Sequence, residues 1–281
     1  MNISIIGGDL RIIRLAQMYA KEYTVYTYGI ERYFENNEKD ENIILCGNLQ
    51  CCIDKSSLII SSVPFTKNNE TVNSPFAKEK IKIKKLQENM KGKKLVAGKI
   101  PEQFYNCEIE NVDLLKNDEL TILNAIPTVE GTIKIAISES EQTIHESNVL
   151  VCGYGRIGKI LCDRFFSLGA NVYCSARKDS DLAWIRERRY TPLKYGEIKE
   201  YAHQLDFIIN TVPHIVIEKE ILDNLKKNTI IIDIASYPGG IDTEYAKKIG
   251  IKLINAQGIP GKEMPLTAAR YIKKIIDEQI I

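Results

Sequence analysis

Short apolar runs alternate with amphipathic stretches through the second half of the chain. Each run has the length and β-branched content of a buried strand, and the stretches between them repeat apolar residues at helical spacing. The predicted strands are Val149–Cys152, Val172–Ser175, Phe207–Thr211, Thr229–Ile234 and Lys252–Asn255. The predicted helices are Ile157–Leu168, Leu182–Arg189, Ile198–His203, Lys219–Leu225 and Thr243–Ile249. Strands and helices that alternate in this way form right-handed crossovers, so we predict a doubly wound parallel sheet.

The first half repeats this pattern less regularly. It opens with a strand at Asn2–Ile6, an amphipathic helix at Asp9–Lys21 and a strand at Thr24–Tyr28. Further short strands are predicted at Ile43–Cys46, Leu58–Ser62, Lys94–Ala97 and Leu120–Leu123. The predicted fold is therefore α/β, with two doubly wound domains and helical linkers between them, the second being a Rossmann dinucleotide-binding domain.

Two predicted helices set the domain boundaries. The segment Pro127–Ser140 should be helical, with Thr128 as a candidate N-cap, and Leu266–Ile281 should form another helix. We expect residues 1–126 and 263–281 to form an N-terminal substrate and catalytic domain. Residues 127–145 should form a linker helix, and residues 146–262 the Rossmann domain. A length of 281 residues suits two domains.

The composition narrows the class of protein. Hydrophobic residues make up 44% of the chain and charged residues 27%, and the net charge of +1 argues against a nucleic-acid partner. No signal-peptide pattern is evident and no apolar run approaches the ~20 residues of a membrane span, so we expect a cytoplasmic protein without membrane contact. The seven cysteines have no C-x-x-C spacing, which argues against a disulfide framework or a metal site.

The segment V-L-V-C-G-Y-G-R-I-G at residues 149–158 carries the clearest chemistry. A strand runs directly into G-x-G-x-x-G, and a helix follows at once. Gly153 would allow the tight turn, Gly155 the close approach of a pyrophosphate, and Gly158 the packing of helix on strand. The phosphates would then lie at the helix N-terminus. The cofactor contacts predicted in this turn are Gly153, Tyr154, Gly155, Arg156, Ile157 and Gly158.

The end of the next strand favours NADP over NAD. NAD-preferring domains carry an acidic residue there to bond the ribose 2′-hydroxyl, whereas this strand ends at Ser175 and continues to Arg177 and Lys178. Because two cations suit a 2′-phosphate, we predict NADP as the cofactor and assign it these three residues, with NAD as the alternative. The cations could instead be ordinary loop residues, but that interpretation leaves the missing acid unexplained.

The carboxyl ends of the later strands should complete the cofactor site, because they face the ligand crevice of a doubly wound sheet. The further predicted contacts are Thr211, Val212, Pro213, Ala235 and Gly258. Asp233 lies in an apolar strand, so its carboxylate must be hydrogen-bonded and could orient backbone N–H groups. His214 could be a catalytic acid or base, or a surface residue. In the first half, I-G-G-D at residues 6–9 opens like a nucleotide fold but lacks the full glycine pattern.

Several segments resemble the A-subunit family of dipicolinate synthases. The most specific are N-A-I-P-T-V-E-G-T at residues 124–132 and A-S-Y-P-G-G at residues 235–240. The other matching segments are I-G-G-D at 6–9 with Arg11, T-I-H at 143–145, N-T-V-P at 210–213 and G-I-P-G at 258–261. The resemblance covers nearly the whole chain and is weakest between about Asn36 and Glu119.

This resemblance implies an activity and a partner. Members of the family work with the flavoprotein-like B-subunit of dipicolinate synthase in endospore-forming bacteria. Together they convert 4-hydroxy-tetrahydrodipicolinate, from the lysine pathway, to dipicolinic acid by NAD(P)-dependent dehydration and oxidation in the mother-cell cytoplasm during sporulation. For this chain the resemblance implies an oxidoreductase subunit that takes a small dicarboxylate substrate. We also expect a homo-oligomer.

Aromatisation of such a substrate removes a hydride and a proton from adjacent ring atoms. The site therefore needs a base, a general acid for the leaving hydroxide, and donors for two carboxylates. Glu130 could be the base, and Thr128 and Thr132 could offer hydroxyls and free N–H groups to a carboxylate. Ser236 could contact substrate or the nicotinamide ribose. Alternatively, Thr128 only caps the helix and Glu130 only complements its dipole. Three cations are either carboxylate partners or ordinary surface residues: Arg11, Arg14 and Lys99.

Two other functions fit the same pattern. One is an NADP-dependent dehydrogenase of the 2-hydroxy-acid or shikimate type. The hydroxy-acid enzymes use an Arg, a Glu and a His late in the nucleotide domain, and this chain has no His after His214. The other is a non-catalytic NADP-binding regulatory protein, which would need the phosphate loop but not the P-T-V-E-G-T segment.

Overall fold

The structure is a computed structural model, and it describes residues 2–105 and 107–280. The chain divides into two compact units. The first comprises the residues up to Asn124 together with those from Met264 onward, and the second comprises Ala125–Glu263. Each unit contains one six-stranded sheet in which all the strands are parallel.

The sheet of the first unit has the strand order β3-β2-β1-β4-β5-β6. Its strands are β1 (Asn2–Ile6), β2 (Thr24–Tyr28), β3 (Ile43–Leu45), β4 (Leu58–Ser61), β5 (Lys94–Ala97) and β6 (Glu110–Asp113). The helices that connect and follow them are α1 (Leu10–Tyr19), α2 (Glu31–Phe34), α3 (Leu49–Asp54), α4 (Ile83–Glu88) and α5 (Asp118–Leu123). Short 3-10 turns lie at Glu102–Phe104 and Leu114–Lys116.

The sheet of the second unit has the equivalent order β12-β11-β10-β7-β8-β9. Its strands are β7 (Asn148–Cys152), β8 (Asn171–Ser175), β9 (Thr191–Leu193), β10 (Phe207–Asn210), β11 (Ile230–Asp233) and β12 (Lys252–Asn255). Its helices are α6 (Ala125–Ser138), α7 (Arg156–Ser167), α8 (Asp179–Glu187), α9 (Ile198–Tyr201), α10 (Lys219–Leu222), α11 (Thr243–Lys248) and α12 (Ile259–Lys262). Two 3-10 turns, Tyr195–Glu197 and Ala202–Gln204, flank α9. The last helix, α13 (Pro265–Gln279), belongs to the first unit.

Both sheets are apolar on both faces, as parallel sheets covered by helices must be. In β1, Ile3 and Ile5 join the hydrophobic cluster that contains α1 and α13, whereas Ile6 joins the cluster that contains α3 and α4. The second unit follows the same rule. Val149 and Val151 of β7 pack with α6, α7 and α8, and Leu150 between them packs with α9, α10 and α11. The alternation of side chains along each strand therefore builds a core on either side of it.

The predicted fold class, two doubly wound α/β domains, is confirmed. The predicted strand at Leu120–Leu123 is wrong, because this segment is helix α5. The side chain of Asn117 accepts a hydrogen bond from the N–H of Leu120 (2.8 Å), and Asp118 and Glu119 occupy the first turn, where carboxylates stabilise a helix. The pattern also missed the edge strands β6 and β9, whose sequences E-N-V-D and T-P-L are too short and too polar to be distinctive.

Helix α6 differs from the predicted linker helix at both ends. It begins at Ala125 and ends at Ser138, so Thr128 lies inside the helix and is not its N-cap. The preceding helix α5 ends just before α6 begins, and the N-cap of α5 is Asn117. Inside α6 the Thr132 hydroxyl donates to the carbonyl of Thr128 (2.7 Å), so the expectation of a helix start with free N–H groups at these threonines is wrong.

The helical stretch Asp118–Ser138 is also long and apolar enough to cross a membrane. It is the one such stretch in the described part of the chain. Its mean hydropathy is 1.3 and 44% of the tested window is buried. Core helices of soluble proteins meet the same criterion of length and composition, so this stretch is weak evidence for a membrane span.

Helix α6 packs closely on α12 through Gly131. A Cβ atom at Gly131 would collide with Cγ2 of Ile259, and it would lie 3.1 Å from Cβ of Glu263. On either side of Gly131, Val129 and Ala136 are fully buried in the core of the second unit. An ion pair between Lys134 Nζ and Glu263 Oε2 (2.7 Å) closes the contact. The P-T-V-E-G-T segment thus has a packing role in the second unit.

A buried polar pair fixes the loops at the carboxyl edge of the second sheet. Asp233, 2% exposed at the end of β11, accepts hydrogen bonds from Asn210 Nδ2 (2.8 Å), Ala235 N (3.1 Å) and Gly240 N (2.9 Å). Asn210, at the end of β10, in turn accepts from Val212 N (3.1 Å) and donates to Val212 O (2.9 Å). The expectation that Asp233 orients backbone N–H groups is confirmed.

Replacing Gly131 by alanine should destabilise the protein, because the added methyl group must displace Ile259. Overpacking costs about 1–3 kcal/mol, which exceeds the roughly 1 kcal/mol that alanine gains over glycine in a helix. We expect a lower midpoint in urea unfolding followed by circular dichroism. Gly196→Ala is the matched control, because nothing lies within 4 Å of its Cβ position. Equal midpoints for the two variants would contradict the close contact.

Asp233→Asn should destabilise the second unit. In the wild type the Asp233 carboxylate accepts hydrogen bonds from several N–H donors, and in the variant an amide NH₂ group would face some of those donors. Leaving a buried donor without an acceptor costs about 1–3 kcal/mol, which urea unfolding can measure. The Kd for NADP⁺, the cofactor predicted from the sequence, should rise in parallel, since the loops that Asp233 holds lie at the carboxyl edge of the second sheet. The control is Asp163→Asn, whose side chain on α7 is 53% exposed. Wild-type stability in Asp233→Asn would refute the role of this network.

Candidate functional site

The glycine-rich turn between β7 and α7 has the geometry of a phosphate loop. Gly153 has φ +97°, and a Cβ atom there would lie 2.5 Å from Thr211 Oγ1 and 2.9 Å from Val212 Cγ2. A Cβ atom at Gly158 would collide with the carbonyl oxygen of Gly153, so only glycine allows α7 to start this close to β7. At Gly155 a Cβ atom would meet nothing within 4 Å. The backbone at Gly155 is therefore open to a ligand.

The start of α7 suits an anion. The helix has 12 residues with Gly155 as its N-cap, and the Lys159 N–H donates to the Gly155 carbonyl (3.0 Å). The N–H groups of a first turn and the positive end of the dipole favour a pyrophosphate at this position. Of the other predicted contacts, Tyr154 and Ile157 are half-buried and Arg156 is exposed. The turn therefore fits a dinucleotide.

The end of β8 presents two cations and no acid. Ser175 is fully buried there, so its hydroxyl lies beneath the surface, whereas Arg177 and Lys178 are exposed. Within residues 2–105 and 107–280 neither cation forms an ion pair. The first acid after them, Asp179, pairs instead with Lys194 (3.2 Å).

The remaining predicted contacts lie on the loops after β10, β11 and β12. Thr211 is tied back to β7, because both its N–H (3.0 Å) and its hydroxyl (2.7 Å) donate to the Cys152 carbonyl. Val212 is half-buried and Pro213 is exposed beside it. Ala235 is buried and bonded to Asp233, and Gly258 (φ +74°) is exposed at the start of α12. These residues form the carboxyl edge of the sheet.

The catalytic candidates differ in accessibility. Glu130 is exposed on α6, and Ser236 is exposed on the loop that follows β11. Thr128 is 7% exposed and Thr132 is fully buried, so their side chains lie inside the second unit. The structure leaves the roles of Glu130, Thr128 and Ser236 as predictions.

The candidate carboxylate partners of the first unit are held in different ways. Arg11 is 4% exposed and is therefore no ordinary surface cation. Its guanidinium pairs with Asp9 (2.6 Å) and also donates to the carbonyl of Val63. Arg14 donates to the side chain of Gln17 (2.8 Å), and Lys99 is exposed. Of the three, Arg11 is thus committed to internal bonds.

Burial keeps the thiol and phenol groups near the turn protonated. It raises the pKa of Cys152 to about 12 and that of Tyr195 to about 12, and it also raises the pKa of Tyr154. At neutral pH these groups therefore stay neutral and can donate hydrogen bonds, but they cannot act as bases. These three groups are therefore excluded as the base for proton removal, whereas the carboxylate of Glu130 and the imidazole of His214 are both exposed.

The corresponding turn of the first unit is filled by its own chain. The N–H of Gly8, between β1 and α1, donates to the carbonyl of Asn73 (3.0 Å). A Cβ atom at Gly7 would lie 2.9 Å from Cγ1 of Val72. The position that a phosphate would take in this unit is therefore occupied by residues 72–73.

The sequence patterns missed the role of Asn210. In the N-T-V-P segment the sequence predicts cofactor contacts only for residues 211–213, whereas the side-chain amide of Asn210 joins β10 to β11 and to the loop at Val212. A signal was present, since Asn210 and Asp233 are the last residues of two otherwise apolar strands. They are direct partners in the register of these strands.

Two family descriptions match this chain. Residues 2–115 match the N-terminal domain of the dipicolinate synthase A-subunit. Residues 129–238 match the NAD binding domain of D-isomer specific 2-hydroxyacid dehydrogenases. The second match covers the glycine-rich turn and the loops around it, so the dinucleotide that this region takes is a nicotinamide dinucleotide.

Relatives from two Bacillus species are similar to this chain over nearly its full length. The dipicolinate synthase A-subunit of Bacillus subtilis (strain 168) is 32% identical over an alignment 295 residues long, gaps included, which covers 99% of this chain and 95% of that protein. The crystal structure of the A-subunit from Bacillus halodurans superposes with a TM-score of 0.83 at 28% identity, covering 99% of this chain and 96% of that one. The corresponding crystal structure from Bacillus subtilis gives a TM-score of 0.80 at 31% identity, with coverage of 99% and 95%.

Sequence, fold and turn geometry agree with one another. The chain has the nicotinamide-dinucleotide domain of a dehydrogenase and is an NAD(P)-dependent oxidoreductase. The similarity to the A-subunit proteins spans both units and not the dinucleotide domain alone. This chain belongs to the A-subunit family of dipicolinate synthases.

Proposed function

We propose that this chain is the oxidoreductase subunit of a dipicolinate synthase, which converts 4-hydroxy-tetrahydrodipicolinate to dipicolinic acid. The observation that carries the proposal is the 32% identity to a dipicolinate synthase A-subunit across 99% of the chain. A domain match limited to the dinucleotide site would support only a generic dehydrogenase. The first unit, which holds no such site at its β1–α1 turn, also matches the family.

The overall reaction is the loss of one water followed by a two-electron oxidation. The ring hydroxyl leaves with a proton, and a hydride and a second proton are then removed to give the aromatic pyridine. Bound NADP⁺ supplies the oxidising power by accepting the hydride. The protein must hold the ring, keep water out and take up the proton. This balance needs no oxidant beyond the nicotinamide cofactor.

NADP is the proposed form of the cofactor. Arg177 and Lys178 are exposed at the tip of β8 and form no ion pair in the described residues. Asp179, the acid nearest in sequence, pairs with Lys194. A guanidinium and an ammonium at this position can share a 2′-phosphate through charge-assisted hydrogen bonds. The sequence S-A-R-K at this strand end contains no carboxylate that could bond a free ribose 2′-hydroxyl.

Glu130 is our candidate base and Ser236 our candidate donor to substrate or ribose, because both side chains are exposed. Thr128 is buried within α6, so we assign it a supporting part in which its carbonyl holds the Thr132 hydroxyl (2.7 Å). Gly131 beside them fixes α6 against α12. In this proposal α6 both packs the second unit and carries the base.

The proposal includes the setting in which the enzyme works. The A-subunit name of its relatives supports a second component, which we propose to be the flavoprotein-like B-subunit of dipicolinate synthase. We further propose a homo-oligomer in the mother-cell cytoplasm of an endospore-former. A net charge of +1 supports the absence of a nucleic-acid partner.

A 2-hydroxy-acid dehydrogenase is the second candidate, because residues 129–238 match the NAD binding domain of that family. The chain has no histidine after His214, whereas those enzymes use a His late in the nucleotide domain. That domain match also covers less than half of the chain, whereas the match to the A-subunit of Bacillus subtilis covers 99% of it. The dipicolinate reaction is therefore the better supported of the two.

The purified chain, mixed with the B-subunit, 4-hydroxy-tetrahydrodipicolinate and NADP⁺, should form NADPH and dipicolinate in equal amounts. The two products can be followed by absorbance at separate wavelengths, with the aldolase product freshly generated. Omission of the chain is the control for spontaneous dehydration. NADPH formation with a linear 2-hydroxy acid instead of the cyclic substrate would overturn the proposal.

Arg177→Asp should lower the ratio of kcat/KM for NADP⁺ to that for NAD⁺ by roughly 10- to 100-fold. A hydrogen bond to a charged group is worth about 1.5–3 kcal/mol, and the new carboxylate repels the 2′-phosphate and can bond a 2′-hydroxyl. Arg186→Asp, the same change at an exposed position of α8, is the matched control. An unchanged ratio in Arg177→Asp would refute the assignment of NADP to this strand end.

A further inference from the structure

An open basin in the first unit is lined by an excess of cations. Its volume is ≈ 490 Å³, within the roughly 300–1,000 Å³ of small-molecule sites. Its walls are the segment of residues 67–80, which follows β4, and one residue of α2. The charged side chains that line it are Arg32, Lys67, Lys78, Lys80 and Glu79. We call this site the basic basin.

The charges of the basic basin are not balanced by the protein. Four cations face one carboxylate among the lining residues, in a chain whose total charge is only +1. Lys78 pairs with Glu35 outside the lining (2.9 Å), whereas Arg32, Lys67 and Lys80 form no ion pair in the part of the chain that the structure describes. Like charges held together repel one another, and a bound anion relieves this repulsion.

The walls of the basic basin are rigidly held. Val72 of the segment and the flanking residues Phe65 and Ile81 are between 0% and 3% exposed and pack into the core of the first unit. The Val72 N–H donates to the carbonyl of Ile81 (2.9 Å). The side-chain oxygen of Asn68 accepts from the N–H groups of residues 70 and 71, both at 3.0 Å. The backbone that carries the lysines is therefore held in place before a ligand binds, so that binding has to order only their side chains.

The same segment excludes a dinucleotide. Residues 72–73 cover Gly7 and Gly8, where a nucleotide phosphate would bind, and they form a wall of the basic basin. The ligand must therefore be a small anion held outside the β1–α1 turn. A planar guanidinium at Arg32 suits one carboxylate in two-pronged contact, and the ammonium groups of Lys67 and Lys80 suit a second.

We propose that the basic basin binds a small dicarboxylate, and that it is where the first unit holds the substrate and product of the enzyme. This inference rests on the proposed function, because the reaction assigned to this chain begins and ends with a ring that carries two carboxylates. Around the cations, Asn68 is exposed and Thr71 and Ser74 are half-buried. Their side chains are bonded within the segment, Asn68 to Thr71 (3.2 Å) and Ser74 to the carbonyl of Val72 (3.1 Å), so the contacts to the ligand come from the cations.

The test is direct binding of pyridine-2,6-dicarboxylate to the full chain by isothermal titration calorimetry. The double variant Lys67→Gln with Lys80→Gln should bind it at least tenfold more weakly than the wild type, with NADP⁺ binding unchanged. The matched control is Lys84→Gln with Lys85→Gln. These two exposed lysines lie on α4, outside the basin and without ion pairs in the described residues. Circular dichroism should show the same fold for all three proteins.

Two further probes define the ligand class. Pyridine-2-carboxylate, which lacks the second carboxylate, should bind at least tenfold more weakly than the dicarboxylate to the wild type. Inorganic phosphate at the same concentration should not displace the dicarboxylate. Equal binding of all three anions would overturn the assignment to dicarboxylates, and failure of the wild type to bind pyridine-2,6-dicarboxylate would overturn the site.

Turnover with the B-subunit separates this inference from the proposed function. If the wild type forms dipicolinate, the basin double variant should show a KM for the cyclic substrate raised at least tenfold, with the KM for NADP⁺ unchanged. An unchanged substrate KM would overturn the inference and leave the proposed function standing. A different result is possible, in which the wild type forms no dipicolinate but binds pyridine-2,6-dicarboxylate, and the basin double variant does not bind it. The proposed function then fails and the site stands.

Discussion

The buried carboxylate of Asp233 is the constraint on which the cofactor edge of the second unit depends. A charged group that is 2% exposed is costly unless donors surround it, and here an amide and two backbone N–H groups do so. Those donors come from Asn210 and from the loop after β11. The side chain of Asn210 in turn donates to the carbonyl of Val212 and accepts from its N–H. The Asp233 carboxylate therefore fixes the course of the loops after β10 and β11. A rigid edge of this kind holds a cofactor without a further entropy cost of ordering the loops.

The sequence predicted the parts of the fold that burial dictates. Strands such as β7 and β10 are apolar throughout because helices cover both faces of the sheet, and the glycine spacing located the phosphate loop. Prediction failed where the structure depends on polar residues and short-range hydrogen bonds instead of burial. The edge strand β6 is mostly polar, and the run Leu120–Leu123 is apolar enough for a strand until Asn117 is recognised as a helix cap. The link from Asn210 to Asp233 needed the strand register, which single-strand patterns do not contain.

The two units share a strand order but use the same turn in opposite ways. In the second unit the backbone at Gly155 is open to a ligand, whereas in the first unit Asn73 and Val72 close the turn at Gly7 and Gly8. The segment that closes it also carries Lys67 and Lys80, two of the cations that form no ion pair in the described residues. One architecture thus yields an edge suited to a dinucleotide and an edge that rejects one. Fold similarity alone would have assigned the same ligand to both units.

Helix α13 has a consequence for the synthesis of the protein. Ala269, Ile272 and Ile276 complete the core that contains α1, yet they follow the whole second unit in sequence. The second unit is one continuous segment, so it can fold as soon as it has left the ribosome. The first unit cannot complete its core until α13 has left the ribosome, and until then the face of α1 that α13 covers stays exposed. The unit that is translated first is therefore completed last, and its exposed apolar surface is the part of the nascent chain that most needs protection from aggregation.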